Sequence, residues 1–340
     1  MDVTKLNQVA LQMVATGKGI LAADESGATT EKRFSKVGIE NTEDNRRAYR
    51  ELFFTTPGVG KYISGVILHD ETIRQKASTG QSFVTMLEAE DILPGIKVDL
   101  GLKDMEGSPE EKLTKGLEGL PARLEEYARL GAKFAKWRSV ITILPAAGGG
   151  YSGPTDANIR QNAKDLAAYA KACQEAGIVP MVEPEVLMDG GHSLADCAAA
   201  SEKILTALFE ELTKAGVAIE GLILKTNMVV PGKESGEKMD AVKVADETLR
   251  IFKKVLPANL PGQTFLSGGQ SELDATVNLQ EMNKRGALPW KLSFSYARAL
   301  QSTALNTWLG KPENVAAAQS AFIKRAQMNS QASCGTYKGE

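Results

Sequence analysis

The chain has 340 residues, 43% of them hydrophobic and 24% charged, with a net charge of −2; that admits one large domain or two ordinary ones around a sizeable core. So slight a charge gives no global electrostatic reason to expect nucleic acid or an anionic membrane as a partner, and no stretch approaches the roughly 18 apolar residues of a membrane span. Three cysteines without a CxxC spacing argue against a disulfide framework, and two histidines in separate segments, His69 and His192, argue against a histidine-built metal site.

The first residues, Met1-Asp2-Val3-Thr4-Lys5, lack a basic segment leading into an apolar one, so the expectation is a cytoplasmic protein. Val3, Leu6, Val9, Ala10 and Met13 follow at helical spacing and predict a helix packed outside the main fold. Short apolar, β-branched-rich runs then alternate with longer amphipathic stretches. Eight such runs fall at 19–24, 63–69, 95–100, 134–141, 178–186, 221–230, 263–269 and 292–297. Between them, residues 121–130 before Gly131, 156–176 before Gly177, and a stretch capped by Ser193 with Asp196 three positions on and ending near Lys214 read as helices. The alternation predicts an α/β fold in which eight parallel strands close a (β/α)8 or TIM barrel. No linker interrupts it, so residues 1–326 read as one domain. The Gly/Pro/Ser-rich stretch 146–154 lacks a GxxxxGK[ST] pattern and reads as a mobile connection, not a phosphate loop. From Gln327 the chain turns small and polar, which predicts an extended or disordered tail over 327–340.

In a parallel barrel the active site lies where the strands end. Ionisable residues crowd there. Run one ends in Asp24, run three holds Lys97 and Asp99, run four Lys136 and Arg138, run five Glu183 and Glu185, and run six Lys225 and Asn227. Run seven ends Ser267-Gly268-Gly269, and run eight holds Ser295 with Arg298 just beyond. Side chains alternate at period two along a strand, so Lys136 shares a face with Arg138, and Glu183 with Glu185 across Pro184. Three strand lysines and two arginines at one barrel mouth call for carboxylates and a bound dianion, for which phosphate is the natural candidate. Lys225 follows a nearly pure apolar run, where desolvation and neighbouring cations favour a neutral amine that can attack a ketone. Glu183, Glu185 and Asp24 are the available proton carriers, and spacing alone does not divide the roles among them. The Ser267-Gly268-Gly269 turn lets backbone N–H groups approach an anion, and Arg298 adds a bidentate grip.

These residues resemble class I fructose-bisphosphate aldolases from about Gly19 to Ala326. The strings are Leu21-Ala22-Ala23-Asp24-Glu25-Ser26, Gly95-Ile96-Lys97-Val98-Asp99, Phe134-Ala135-Lys136-Trp137-Arg138, Val182-Glu183-Pro184-Glu185, Leu224-Lys225 with Asn227-Met228-Val229, Phe265-Leu266-Ser267-Gly268-Gly269-Gln270, and Phe294-Ser295-Tyr296 with Arg298. The resemblance implies a Schiff-base lysine at Lys225 and a main general acid/base at Glu183, with Asp24, Lys136 and Glu185 supporting proton transfer and charge. It further implies one phosphate site at Ser267, Gly268, Gly269, Ser295 and Arg298, and contacts toward the other end of the substrate at Ser26, Arg33, Lys97 and Arg138. Thr29 stands where animal members commonly have serine and keeps a hydroxyl near the second phosphate. Ala297 replaces a glycine, and the tail lacks the longer segment, ending in tyrosine, that assists the site in many members. The implied reaction is reversible cleavage of fructose 1,6-bisphosphate to dihydroxyacetone phosphate and glyceraldehyde 3-phosphate, without metal or cofactor, in a homotetramer.

Two other classes fit part of the pattern. One is a Schiff-base aldolase or transaldolase-like enzyme on another sugar phosphate, which Arg33 and Lys97 disfavour because they provide for a second phosphate. The other is a non-catalytic barrel scaffold, which the joint presence of Lys225, Glu183 and Asp24 disfavours.

Overall fold

Each of the eight runs overlaps a parallel strand in the computed structural model, which describes residues 2–146, 148 and 150–339. The strands are β1 (Gly19–Ala23), β2 (Ile63–Leu68), β3 (Leu93–Lys97), β4 (Leu102–Met105), β5 (Ser108–Thr114), β6 (Phe134–Ile141), β7 (Val179–Val186), β8 (Ile223–Thr226), β9 (Gly262–Phe265) and β10 (Lys291–Tyr296). Eight of them close a barrel in the order β1-β10-β9-β8-β7-β6-β3-β2. The other two, β4 and β5, form an antiparallel hairpin that the sequence reading did not anticipate, inserted after β3.

Alternation along the strands sorts the apolar side chains into two layers. Ile20 and Ala22 of β1, Phe134 of β6, Val179 and Met181 of β7 and Ile223 of β8 share one buried cluster. Their neighbours Leu21, Ala23, Ala135, Trp137, Val182 and Leu224 join the larger cluster beneath the surrounding helices. Phe134 fills the lower interior so fully that a Cβ on Gly95 would meet its ring at 2.2 Å. Only glycine fits there, and the ring becomes an apolar floor beneath the polar barrel mouth.

The helices obey their local signals. The helix Asp156–Glu175 is capped by Thr155, whose hydroxyl accepts from Asn158 N, and the chain turns out through Gly177 at φ 74°. Ser193 and Asp196 form a reciprocal capping box on Leu194–Lys214, a device contributing ~1 kcal/mol. Around the stretch 146–154, Ala146 N donates to Gly150 O and Pro145 bridges Tyr151; Ala147 and Gly149 lie outside the described residues. No described helix is long and apolar enough to cross a membrane.

Two expectations are corrected. The N-terminal helix Val3–Met13 does not pack outside the barrel: Leu6, Ala10 and Met13 belong to the interior cluster with Ile20, Phe134 and Ile223, so the helix closes the N-terminal mouth. The segment from Gln327 is not an extended tail, because the helix Val315–Ser333 runs through it and buries Met328, Asn329 and Ala332. Apart from Met328, the buried positions from Gln327 onward in this helix are small or polar, which erased the apolar periodicity, and Asn329 satisfies its amide with Thr276 Oγ1 and the Arg325 carbonyl. Beyond it Tyr337 is buried and its N–H donates to Gln280 Oε1.

Candidate active site

A cavity of about 830 Å³ opens at the C-terminal ends of the barrel strands. β1 delivers Asp24, β3 Lys97, β6 Lys136 and Arg138, β7 Glu183 and Glu185, β8 Lys225, and β10 Ser295, with Ser267 and Gly268 just past β9 and Arg298 opening the helix Arg298–Trp308. Ser26, Thr29 and Arg33 reach it from the helix Gly27–Phe34, where Ser26 is the N-cap and accepts from Thr29 N at 3.4 Å. Every residue expected at the site lines this cavity except Gly269. Gly269 stands behind the wall at φ 72°, where a Cβ would meet Met188 Sδ at 2.6 Å, so it shapes the turn.

Four charges form the centre. Lys225 Nζ is 3.0 Å from Glu183 Oε1, and Lys136 Nζ is 2.7 Å from Asp24 Oδ2, 3.3 Å from Glu183 Oε2 and 3.9 Å from Asp99 Oδ2. The Glu183–Lys136 approach is an ion pair out of line for a hydrogen bond, since Glu183 Oε2 has no hydrogen-bond partner. Burial opposes charge on Lys136, but Asp24, Glu183 and Asp99 outweigh it and hold the ammonium well above the ordinary lysine range. Burial likewise opposes the Asp24 carboxylate, and Lys136, Lys225 and Lys97 overcome that and hold it well below the usual aspartate range. Asp24 and Lys136 are thus a fixed charge pair at neutral pH.

The rim separates into two ends. On one, Ser267, Gly268, Ser295 and Arg298 surround a space in which the buried Ser295 hydroxyl has no hydrogen-bond partner. A Cβ on Gly268 would sit 3.2 Å from Glu185 Oε1 and 3.9 Å from Arg298 Nη2, so bare backbone leaves room between them. Arg298 forms no ion pair within 4.0 Å among the described residues, and burial with nearby Arg33 and Arg138 lowers its pKa. A guanidinium without an ion-pair partner beside a buried, unpartnered hydroxyl is a receptor for an anion.

At the other end three cations carry an internal carboxylate. Lys97 pairs with Asp99 at 2.6 Å, Arg33 with Glu25, and Arg138 with Glu185. Arg33 also donates to Gln301 Oε1 at 2.7 Å. Eight lysines and arginines line the cavity against five carboxylates, so this region is positive although the chain carries −2.

Sequence reasoning gave no role to Glu25, Lys32, Lys36, His69 and Asp99, which also line the cavity. Asp99 lies two residues beyond Lys97 and His69 ends the second run, so the strand-end rule held the signal. Lys32 and Lys36 sit on or next to a short helix whose pattern was not read. The His69 pKa is lowered by burial, with Lys97 and Arg50 adding to the effect. Among the described residues no group of three or more histidines, cysteines, aspartates or glutamates is arranged to hold a metal ion.

Comparison with known proteins agrees with this geometry. Residues 5–340 match the family model described as fructose-bisphosphate aldolase class-I. A probable fructose-bisphosphate aldolase class 1 of Xanthomonas campestris pv. campestris is 51% identical over 340 residues, covering 100% of both chains. A cytosolic fructose-bisphosphate aldolase of Arabidopsis thaliana is 50% identical over 325 residues, 95% of this chain and 81% of that one. The fructose-bisphosphate aldolase of Plasmodium falciparum, crystallised with TRAP and a small-molecule inhibitor, superposes with a TM-score of 0.96 at 48% identity, covering 99% of this chain and 96% of that one. The chain belongs to the class I fructose-bisphosphate aldolase family, lyases that reversibly cleave fructose 1,6-bisphosphate to dihydroxyacetone phosphate and glyceraldehyde 3-phosphate through a lysine Schiff base.

Proposed function

We propose that Lys225 is the Schiff-base nucleophile and Glu183 its proton carrier. Lys225 gives a proton to Glu183, and the neutral amine adds to the C2 ketone of the substrate. Glu183 returns the proton to the carbinolamine hydroxyl, water leaves, and the iminium accepts the electron pair of the breaking C3–C4 bond as the C4 hydroxyl loses its proton to a carboxylate. Protonation at C3 and addition of water then free dihydroxyacetone phosphate and restore Lys225. The observation carrying this reading is the 3.0 Å approach of Lys225 Nζ to Glu183 Oε1 at the bottom of a cationic cavity.

The remaining roles follow from charge. Asp24 is too strongly anionic to carry protons at neutral pH, so it holds Lys136, whose fixed ammonium stabilises negative charge developing during cleavage. Glu185 orients Arg138 through their ion pair. Ser267, Gly268, Ser295 and Arg298 hold the phosphate nearer the ketone, with Gly269 shaping their turn. Ser26, Thr29, Arg33, Lys97 and Arg138 receive the other phosphate. The resemblance also supports a homotetramer acting in the cytoplasm, which sedimentation of the purified chain and localisation of a tagged copy would check.

Borohydride added during turnover tests the assignment. Reduction of the iminium should leave a dihydroxyacetone-phosphate adduct on Lys225, located by peptide mapping, and Lys225→Met should abolish trapping in a folded chain. A label on Lys136 would reverse the two lysines, and turnover with no labelled lysine would end the proposal. Comparing fructose 1,6-bisphosphate with fructose 1-phosphate tests the second phosphate site, since equal efficiency would remove it.

A further inference from the structure

β7, which carries Glu183, is stitched unequally to its two neighbours. β6 and β7 pair along their whole length, from Phe134↔Val179 to Ile141↔Val186. β7 and β8 pair only at Met181↔Ile223 and Val182↔Leu224, so the ladder stops one residue short of Glu183 and Lys225. Backbone groups of β7 alternate in direction: Leu187 N donates to Ile141 O across β6, whereas Val186 N points toward β8. Pro184, two residues before Val186, faces β8 as well and has no N–H to donate there.

Side chains replace the missing backbone bonds. Thr226 Oγ1 donates to Pro184 O at 3.1 Å, and Asn227 Oδ1 accepts from Val186 N at 2.9 Å. Asn227 Nδ2 in turn donates to Ser201 Oγ at 3.3 Å and Met228 O at 3.0 Å, with Cys197 Sγ at 3.8 Å. Ser201 and Cys197 lie on the helix Leu194–Lys214. The buried amide therefore ties the end of β7, the end of β8 and the helix between them. The bridged residues are Pro184 and Val186 of β7 and Thr226 and Asn227 at the end of β8, so the bridge directly follows both Glu183 and Lys225 and brackets Glu185.

We propose that Asn227, with Thr226, is a positioning residue that sets the separation of Lys225 and Glu183, a role that rests on the nucleophile and proton-carrier assignments above. Neither residue lines the cavity. They act by fixing two strands where the backbone ladder has opened, so that the amine and the carboxylate stand at proton-transfer distance.

The test compares wild type, Asn227→Ala, Thr226→Val and Thr226→Ser by kcat, KM, thermal stability and the rate at which borohydride traps substrate on Lys225 at saturation. Asn227→Ala should slow trapping and kcat by roughly tenfold or more, since misplacing reacting groups by about 1 Å costs on the order of a hundredfold. Thr226→Val should slow both several-fold, and Thr226→Ser, which keeps the hydroxyl, should stay near wild type. KM should hold within about threefold, because the phosphate grips sit on other strands. Wild-type trapping rates in both disrupting variants overturn the proposal, as does a Thr226→Ser as slow as Thr226→Val. If Asn227→Ala does not fold, the two Thr226 variants decide. Wild-type protein that turns over without any adduct on Lys225 instead overturns the nucleophile assignment, so the two failures are distinct.

Discussion

Lys225 Nζ stands 3.0 Å from Glu183 Oε1 and has no other carboxylate within 4.0 Å among the described residues. The partner is shared, because Lys136 approaches the second Glu183 oxygen at 3.3 Å. Glu183→Gln keeps the shape and removes the proton carrier. Lys136 retains Asp24 and Asp99, whereas Lys225 loses its one carboxylate within 4.0 Å among the described residues and keeps only the amide oxygen, so a fall in melting temperature should accompany the loss of activity in a chain that still folds. A loss in kcat on the order of a hundredfold is expected, in line with general acid–base contributions. Steady-state rates together with borohydride trapping check it, and wild-type kcat would remove Glu183 from the mechanism.

The Asp24–Lys136 pair makes a pH prediction. Asp24 is held below its unfolded-state pKa, so its contribution to stability is full above the ordinary aspartate value, about 3.9, and is lost as pH falls toward the folded value. Lys136 is held above its unfolded value, so its contribution is full below about 10.4 and is lost only as pH rises through the folded one. The melting-temperature difference between wild type and Asp24→Asn should therefore be flat from about pH 5 to 9 and shrink below about pH 4. A difference that varies across the neutral range would mean that one member of the pair titrates there.

Arg298→Ala removes a guanidinium that has no carboxylate partner within 4.0 Å among the described residues. No buried charge is stranded, so stability should change little while substrate binding suffers. The loss in kcat/KM should be roughly tenfold or more, about 1.4 kcal/mol. An unchanged kcat/KM would move the phosphate elsewhere in the cavity.

How much of this was legible in the sequence depended on whether a residue's role was local. Lys136, Glu183 and Lys225 stood out because ionisable groups interrupt apolar strands, and the barrel rule put them at one mouth. Their pairings were not legible: Asp24 meets Lys136 only because closure brings β1 opposite β6, several strands away around the barrel. Run boundaries overshot for a physical reason. Met228, Val229 and Val230 are buried loop residues beyond β8, and apolarity reports burial and not strand pairing. The hairpin of β4 and β5 was missed because Leu102, Lys103 and Asp104 are exposed and carry no burial pattern. The N-terminal helix was read correctly as amphipathic, but amphipathicity does not say whether the apolar side meets the outside of a barrel or its open end.

The C-terminal segment gives the last prediction, and here the structure reverses what the sequence suggested. A chain cut before Gln331 loses Ala332 and Tyr337, both buried, and the hydrogen bond from Tyr337 N to Gln280 Oε1. Losing burial of this kind costs about 2–4 kcal/mol, so the melting temperature should fall by roughly 5 °C or more. Turnover per folded molecule should hold, because no described residue after Arg298 lines the cavity and the segment docks at the other end of the barrel. Gly17, before β1, faces Cys334 Sγ, and Gly335 packs on Asn283 at the end of the helix Glu272–Asn283. Tyr337 separates the two effects most cleanly. Its buried hydroxyl has no hydrogen-bond partner, so Tyr337→Phe should leave both stability and kcat near wild type, whereas Tyr337→Ala should lower stability alone. A fall in kcat in Tyr337→Phe, with the melting temperature unchanged, would show that this tyrosine leaves its packed position and serves the site during turnover.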